Sequence, residues 1–297
     1  MPLALPRGLE WWRGRPGGAD WLDRLPLLAS ECAEQWTLRL GAPFEPATIS
    51  LVVPATLQDG SAAVLKVAFP EPESAGEPDA LAAWEGRGAV RLLARDEARS
   101  ALLVERCVPG TPLWAEADEE RANGIAAEVL HRIWSARVAD HPFRLLTDVA
   151  AGWEESIPAA WDRLGRPIER SLLDLALSSL RDLRSSQPED VILHQDFHGG
   201  NLLTAEREPW LAIDPKPLVG ERAFVAASLL RDRRAELARD PQPVRSITRR
   251  LDLLSEALEL DRERMRGWGI VHALAWGVGE SVLEDMVACA RWLADAR

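Results

Sequence analysis

The sequence predicts an α+β protein of two lobes, a small antiparallel β-sheet lobe followed by a larger, mainly helical one. Three observations carry that expectation. Short aliphatic runs punctuated by turn residues cluster between Thr37 and Glu105. Beyond them, apolar residues recur almost everywhere at helical spacing. Pro109-Gly110 is the breaker between the two regions. It sets an expected N-terminal lobe over residues 1–108 and a C-terminal lobe over residues 109–297.

The first forty residues read as helical, with Trp11, Trp12, Trp21 and Leu22 set among charged residues. Strands are expected over Thr37–Leu40, Ile49–Val53 and Ala62–Ala68, with Asp59-Gly60 as the tight turn between the last two. Pro70–Pro78 reads as a loop, and a short helix follows from Asp79 to Trp84, ended by Gly86 and Gly88. Ala89–Leu93 and Ala101–Glu105 are the last expected strands of the sheet, joined by a turn over Arg95–Ser100. In the second lobe the periodicity predicts helices over Glu119–Ser135, Asp148–Trp161, Glu169–Ser185, Val244–Leu258 and Arg262–Ala296.

Composition narrows the function. At 297 residues and 47% hydrophobic content the chain has ample material for a core. A formal net charge of -12 argues against a nucleic-acid partner, which wants a basic surface. The same field could draw in a cationic small molecule, the plain alternative being that the charge serves solubility alone. No apolar run approaches the roughly 20 residues of a membrane span, and the N-terminus lacks the pattern of a signal peptide. Cys32, Cys107 and Cys289 are odd in number and far apart, which suits a reducing cytoplasm. Lys66 and Lys216 are the only lysines. Oligomeric state is not written in the sequence.

The chemistry concentrates in Val191-Ile-Leu-His-Gln-Asp-Phe-His-Gly-Gly-Asn-Leu-Leu203 and in Leu211-Ala-Ile-Asp-Pro-Lys-Pro217. Each apolar run delivers polar groups at its end. Asp196 is placed to accept a proton from a substrate hydroxyl. Asn201, five positions on, and Asp214 offer oxygen ligands to Mg²⁺. Such a set belongs to phosphoryl transfer, where the protein positions reactants and neutralises charge. His194 reads as a loop lock. His198 is a loop histidine or a candidate substrate contact.

Lys66 sits inside the apolar run Ala63-Val-Leu-Lys-Val67, where an unpartnered ammonium is costly. It is expected to clamp nucleotide phosphates and to pair with Glu77, with Asp79 and Glu85 as alternatives. No Walker A motif and no Gly-rich loop precede it. The phosphate-covering turn therefore falls to Glu45–Ser50, through Thr48 and Ser50. Glu105 to Val108, at a strand end before Pro109, suits backbone contact with a purine. Trp268, His272, Trp276 and Glu280 recur every four residues, an expected helical stripe for a cationic or polyhydroxylated acceptor. The plain alternative for that stripe is core packing.

These residues resemble the aminoglycoside phosphotransferase superfamily, and within it the streptomycin 6-kinase and hydroxyurea antibiotic resistance kinase family. The family segment His-Gly-Asp-Leu-His-x-Gly-Asn appears as His194-Gln-Asp-Phe-His-Gly-Gly-Asn201, and Trp210 to Gly220 matches the family unchanged. Gly88–Leu93 and Pro109–Leu113 are further family-like segments, so the resemblance runs from about Leu51 to Ala223. It implies a two-lobed protein-kinase-like fold, ATP or GTP with Mg²⁺ as cofactors, and an alcohol acceptor. It also implies Asp196 as catalytic residue, Asn201 and Asp214 as metal ligands, and Lys66 with Glu77 at the nucleotide. Gln195 and Phe197 replace Gly and Leu without removing a catalytic group. After Gly220 the family often continues Asp-Pro with an Asp a few residues later; here Glu221-Arg-Ala-Phe-Val-Ala226 follows and the later Asp is absent, which bears on loop support and acceptor identity. The expected function is an aminoglycoside kinase of streptomycin 6-kinase type. A kinase for hydroxyurea or a metabolite alcohol, and a non-catalytic nucleotide-binding protein, are the rivals.

Overall fold

The computed structural model describes residues 3–136 and 142–296. The chain divides into two compact units, Met1–Gly110 with Thr204–Leu211, and Thr111–Leu203 with Ala212–Arg297. The chain therefore leaves the first unit, returns to it for eight residues and leaves it again.

In the first unit a 3-10 helix over Arg7–Gly14 leads into α1 (Gly18–Gln35). A five-stranded antiparallel sheet follows, β1 (Arg39–Leu40), β2 (Ser50–Thr56), β3 (Ala62–Ala68), β4 (Leu92–Asp96) and β5 (Ala101–Glu105). Its strand order is β1-β2-β3-β5-β4. Side chains alternate across a strand, so Leu51 and Val53 of β2 and Leu65 and Val67 of β3 share one face. That face buries against Trp12, Trp21, Leu22, Leu25 and Leu28, forming one core. Each such fully buried large side chain contributes about 1.5–3 kcal/mol. Lys66, between Leu65 and Val67, must then point to the opposite face.

The helix α2 spans Glu77–Trp84 and ends with Glu85 and Gly86 in the left-handed region, as the sequence predicts for its glycines. The expected strand at Ala89–Leu93 lies three residues further on. Ala89 and Val90 are buried, and the Ala89 carbonyl accepts from Arg207 instead of joining a ladder. The following turn is shortened to match, with the Asp96 carboxylate accepting the Arg99 amide.

The second unit is mainly helical: α3 (Glu119–Ile133), α4 (Leu146–Arg163), α5 (Arg170–Ser185), α6 (Ala226–Leu230), α7 (Arg234–Leu237), α8 (Pro243–Leu258), α9 (Arg262–Gly277) and α10 (Glu284–Asp295). A small sheet pairs β6 (Arg144–Leu145), β10 (Leu218–Gly220) and β7 (Val191–Leu193) in that order. The hairpin β8 (Leu202–Thr204) and β9 (Trp210–Ala212) connects the units along the chain. Helix α9 is buried nearly all round, from Met265 to Leu274, which marks it as the centre of its unit.

The single helix expected over Arg262–Ala296 is two. Helix α9 stops at Gly277, whose carbonyl accepts the Leu283 amide, and Val278 bridges to Val282. Then α10 packs back on α9, and a Cβ at Gly277 would lie 3.0 Å from that of Met286. Apolar periodicity persists through residue 296 because both helices bury a face in the same core.

Candidate active site

In the first unit Lys66 is 8% exposed and its Nζ donates to Glu77 Oε2 at 2.5 Å. Glu77 opens α2, where a carboxylate also faces the positive end of the helix. The pairing was expected from sequence; of the alternatives, Asp79 instead bonds Arg95 at 2.7 Å and Glu85 bonds Arg87 at 2.6 Å. Thr48 is exposed, whereas Ser50 is buried and opens β2. The carbonyls of Thr48 and Ile49 accept from the indole nitrogens of Trp11 and Trp12 at 2.5 and 3.2 Å. The turn thus leans on the N-terminal 3-10 helix.

Glu105 is differently occupied from a free hinge residue. Arg207 donates to both its oxygens, Nε to Oε1 at 2.8 Å and Nη2 to Oε2 at 2.9 Å, and also bonds the Gly86 and Ala89 carbonyls. Burial pushes the Glu105 carboxyl upward, but Arg207 and the Arg91 amide outweigh it and hold the group below its ordinary value. The Glu105 side chain is thereby committed, and its backbone amide donates to the Arg91 carbonyl at 2.9 Å. Val108 is exposed at the chain's exit from the sheet.

In the second unit the segments carrying Asp196 and Asp214 are fastened to each other by backbone bonds. The His194 carbonyl accepts the amides of Asp196 and Lys216 at 2.8 and 3.0 Å, and the Asn201 carbonyl accepts that of Ile213 at 2.9 Å. His194 itself is buried, with Nε2 2.9 Å from the Ile213 carbonyl, and burial lowers its pKa to about 4. It is a lock, as its position suggests. Gln195 and Asp214 take left-handed backbone, at φ +62° and +58°.

Asp196 is flanked by two cations and a histidine. Lys216 Nζ donates to Oδ2 at 3.0 Å, Arg231 Nη2 stands 4.0 Å from Oδ1, and His198 Nε2 lies 3.7 Å from Oδ1. Burial raises the Asp196 carboxyl, yet Lys216 and the histidines overcome this and hold it below its ordinary value. Burial lowers His198, so it is neutral near pH 7. Its Nδ1 accepts the Gly200 amide at 3.1 Å, which leaves the proton on Nε2, directed at Asp196.

Asn201 ends a 3-10 turn over Gly199–Asn201, and its Nδ2 donates to the Asp196 carbonyl at 3.0 Å. The amide nitrogen being committed, Oδ1 is the atom available to a cation. Asn201 and Asp214 give two hard oxygen donors, which suits Mg²⁺ completed by phosphate oxygens and water. Among the described residues no cluster of three or more His, Cys, Asp or Glu side chains could hold a metal alone.

The expected acceptor stripe takes another form. Trp268 is fully buried and donates to Glu221 Oε1 at 2.6 Å, so it belongs to the core. His272 is 1% exposed and packed among Trp153, Phe224 and Trp276. Glu280 lies beyond the end of α9, and the four-residue spacing no longer puts it on the stripe. Trp276 is 37% exposed, and cations of its own chain lie over its ring, Lys216 Nζ at 6.0 Å and Arg231 at 5.6 Å. It braces the cations that hold Asp196.

Sequence reading missed three residues here. Arg231 touches Asp196 from α6's end, and nothing in local sequence marks it. Asp232 supports the loop over residues 198–201: its Oδ2 accepts the Gly199 amide at 2.7 Å and its Oδ1 accepts Trp114 Nε1 at 2.8 Å. The loop support in question after Gly220 is thus supplied twelve positions later. Trp114 lies parallel to the His198 ring, with centroids 5.2 Å apart and 7° between planes.

Residues 36–283 match the family described as aminoglycoside/hydroxyurea antibiotic resistance kinase. A streptomycin 6-kinase of Streptomyces griseus is 36% identical over 98% of this chain and 97% of its own length. A hydroxyurea phosphotransferase of Kitasatospora aureofaciens is 40% identical over 92% of this chain and 79% of its own. Among solved structures, an aminoglycoside phosphotransferase APH(4)-Ia in complex with ADP and hygromycin B superposes with a TM-score of 0.60 at 16% identity, covering 90% of this chain and 95% of that one. Choline kinase LicA from Streptococcus pneumoniae gives 0.58 at 12% identity, over 91% and 97%. These structural likenesses establish the fold, which is protein-kinase-like.

Proposed function

We propose, from the premise that this chain belongs to the aminoglycoside/hydroxyurea antibiotic resistance kinase family, that it transfers the γ-phosphate of ATP to a hydroxyl of an aminoglycoside antibiotic of the streptomycin type. One observation carries the reading: Asp196, Asn201 and Asp214 lie on two segments zipped together by backbone bonds, with Lys216 on the catalytic carboxylate.

Asp196 orients the acceptor hydroxyl. Lys216 keeps it a weak base, which fits a loose transfer in which the proton leaves late. Arg231 and Lys216 add positive charge where the transferred phosphoryl oxygens gather. Asn201 Oδ1 and the Asp214 carboxylate would hold Mg²⁺, which neutralises phosphate charge when bound. In the first unit Lys66, kept in place by Glu77, serves the nucleotide phosphates, with Thr48 and Ser50 in the adjoining turn and backbone from Glu105 to Val108 for the base. GTP is the second nucleotide worth assay. Among the described residues no helix is long and apolar enough to cross a membrane. We place the activity in the cytoplasm, where ATP is available.

A second reading takes hydroxyurea as acceptor, favoured by the 40% identical relative of that activity. Streptomycin, hydroxyurea and simple alcohols, each incubated with ATP or GTP and Mg²⁺, separate the two by a mass gain of one phosphate. The Asp196→Ala protein should bind nucleotide as before and lose about a thousandfold in kcat. Undiminished turnover in that variant would remove the mechanism.

A further inference from the structure

We infer that Trp114 is the acceptor platform, a specificity-determining residue whose exposed indole face takes a planar guanidinium group of the substrate. The inference rests on the proposed function and names the substrate feature that it would read.

Trp114 is 51% exposed, the most exposed tryptophan among the large apolar residues that reach solvent. It is nevertheless firmly held. Its Nε1 donates to Asp232 at 2.8 Å, and one face lies flat against His198. Its ring also covers the glycines of the catalytic loop. A Cβ on Gly199 would stand 2.7 Å from Trp114 Cδ1, and one on Gly200 would stand 2.6 Å from Cη2. The glycine pair in His198-Gly-Gly-Asn201 therefore makes room for this indole.

Bracing the loop uses only part of this large apolar ring, which stays 51% exposed while stacked on His198, the neighbour of Asp196. Chemically, an indole face attracts cations, and donation of its N–H to a carboxylate enriches the ring's electrons. Guanidinium is the cation that stacks best on such a face, because it is planar and weakly hydrated. The other candidate indole, Trp276, has its ring covered by Lys216 and Arg231. Streptomycin, whose cyclitol ring carries guanidinium groups, presents the required feature beside its hydroxyls; hydroxyurea does not.

Two variants separate a binding face from a merely structural plug. Trp114→Phe and Trp114→Leu both fill space over the glycines, and both lose the bond to Asp232. Only the first keeps a π face. With streptomycin as acceptor, KM in Trp114→Leu should exceed that in Trp114→Phe by about fivefold to tenfold. The KM for ATP should be equal in the two. Equal streptomycin KM values overturn the inference and leave the kinase assignment standing. So does a difference that appears only in kcat or in the KM for ATP. If the wild-type protein transfers no phosphate to streptomycin, the acceptor assignment falls first, and this inference with it.

Discussion

Lys216 settles how basic Asp196, the proposed catalytic carboxylate, can be. Its ammonium, 3.0 Å from Asp196, helps hold that carboxyl below its ordinary value against the upward pull of burial. Replacing it by methionine removes the opposing cation, so the Asp196 pKa should rise. Activity needs the ionised form, and the acid limb of the kcat profile should therefore move to higher pH in Lys216→Met. A kcat measured across pH with an unmoved limb would assign the charge control to Arg231 instead. The grouping of Asp196, Asn201 and Asp214 on two neighbouring segments was legible in the sequence because their spacing and apolar lead-ins are local. Lys66 was legible because a lysine inside a buried strand demands a partner, and Glu77 supplies it. Arg231, Asp232 and Trp114 were not, since each reaches the loop only through tertiary folding. No spacing rule connects positions 114, 198 and 232.

At the scale of elements, Arg207 has the widest reach in the first unit. From the hairpin β8–β9 it bonds the end of β5 through Glu105 and the segment after α2 through the Gly86 and Ala89 carbonyls. Arg207→Ala would leave a partly buried carboxylate and carbonyls short of donors, at a cost of about 1–3 kcal/mol. The urea midpoint of the purified protein should fall accordingly, and an unchanged midpoint would show that the clamp is dispensable. Strand and helix types were readable from period and turn residues. Their ends were less so where a long-range bond took a backbone group, as at Ala89. The hairpin of α9 and α10 shows a different limit. Gly277 and Gly279 marked a break, but unbroken apolar periodicity masked it, because both arms face one core.

Over the whole molecule, the buried histidines tie stability to acidity. His194 has its pKa lowered to about 4, His198 is lowered, and His272 is well below its ordinary value, all mainly by burial. In the unfolded chain each titrates near 6.5. Between about 6.5 and 4 the unfolded state therefore binds more protons than the folded one, and stability falls as pH falls. His194 alone accounts for about 3 kcal/mol over that window. The melting temperature should decline steadily from pH 7 to pH 4.5. His194→Gln should flatten the decline, and an identical slope in that variant would contradict the assignment.

The eight-residue excursion Thr204–Leu211 has a consequence for biosynthesis. A ribosome releases the N-terminal sheet and α1 long before it makes Arg207. Until then the carboxylate of Glu105 lacks its clasp, and the Gly86 and Ala89 carbonyls wait in water. The earliest-translated unit thus matures late, after much of the helical portion has already emerged.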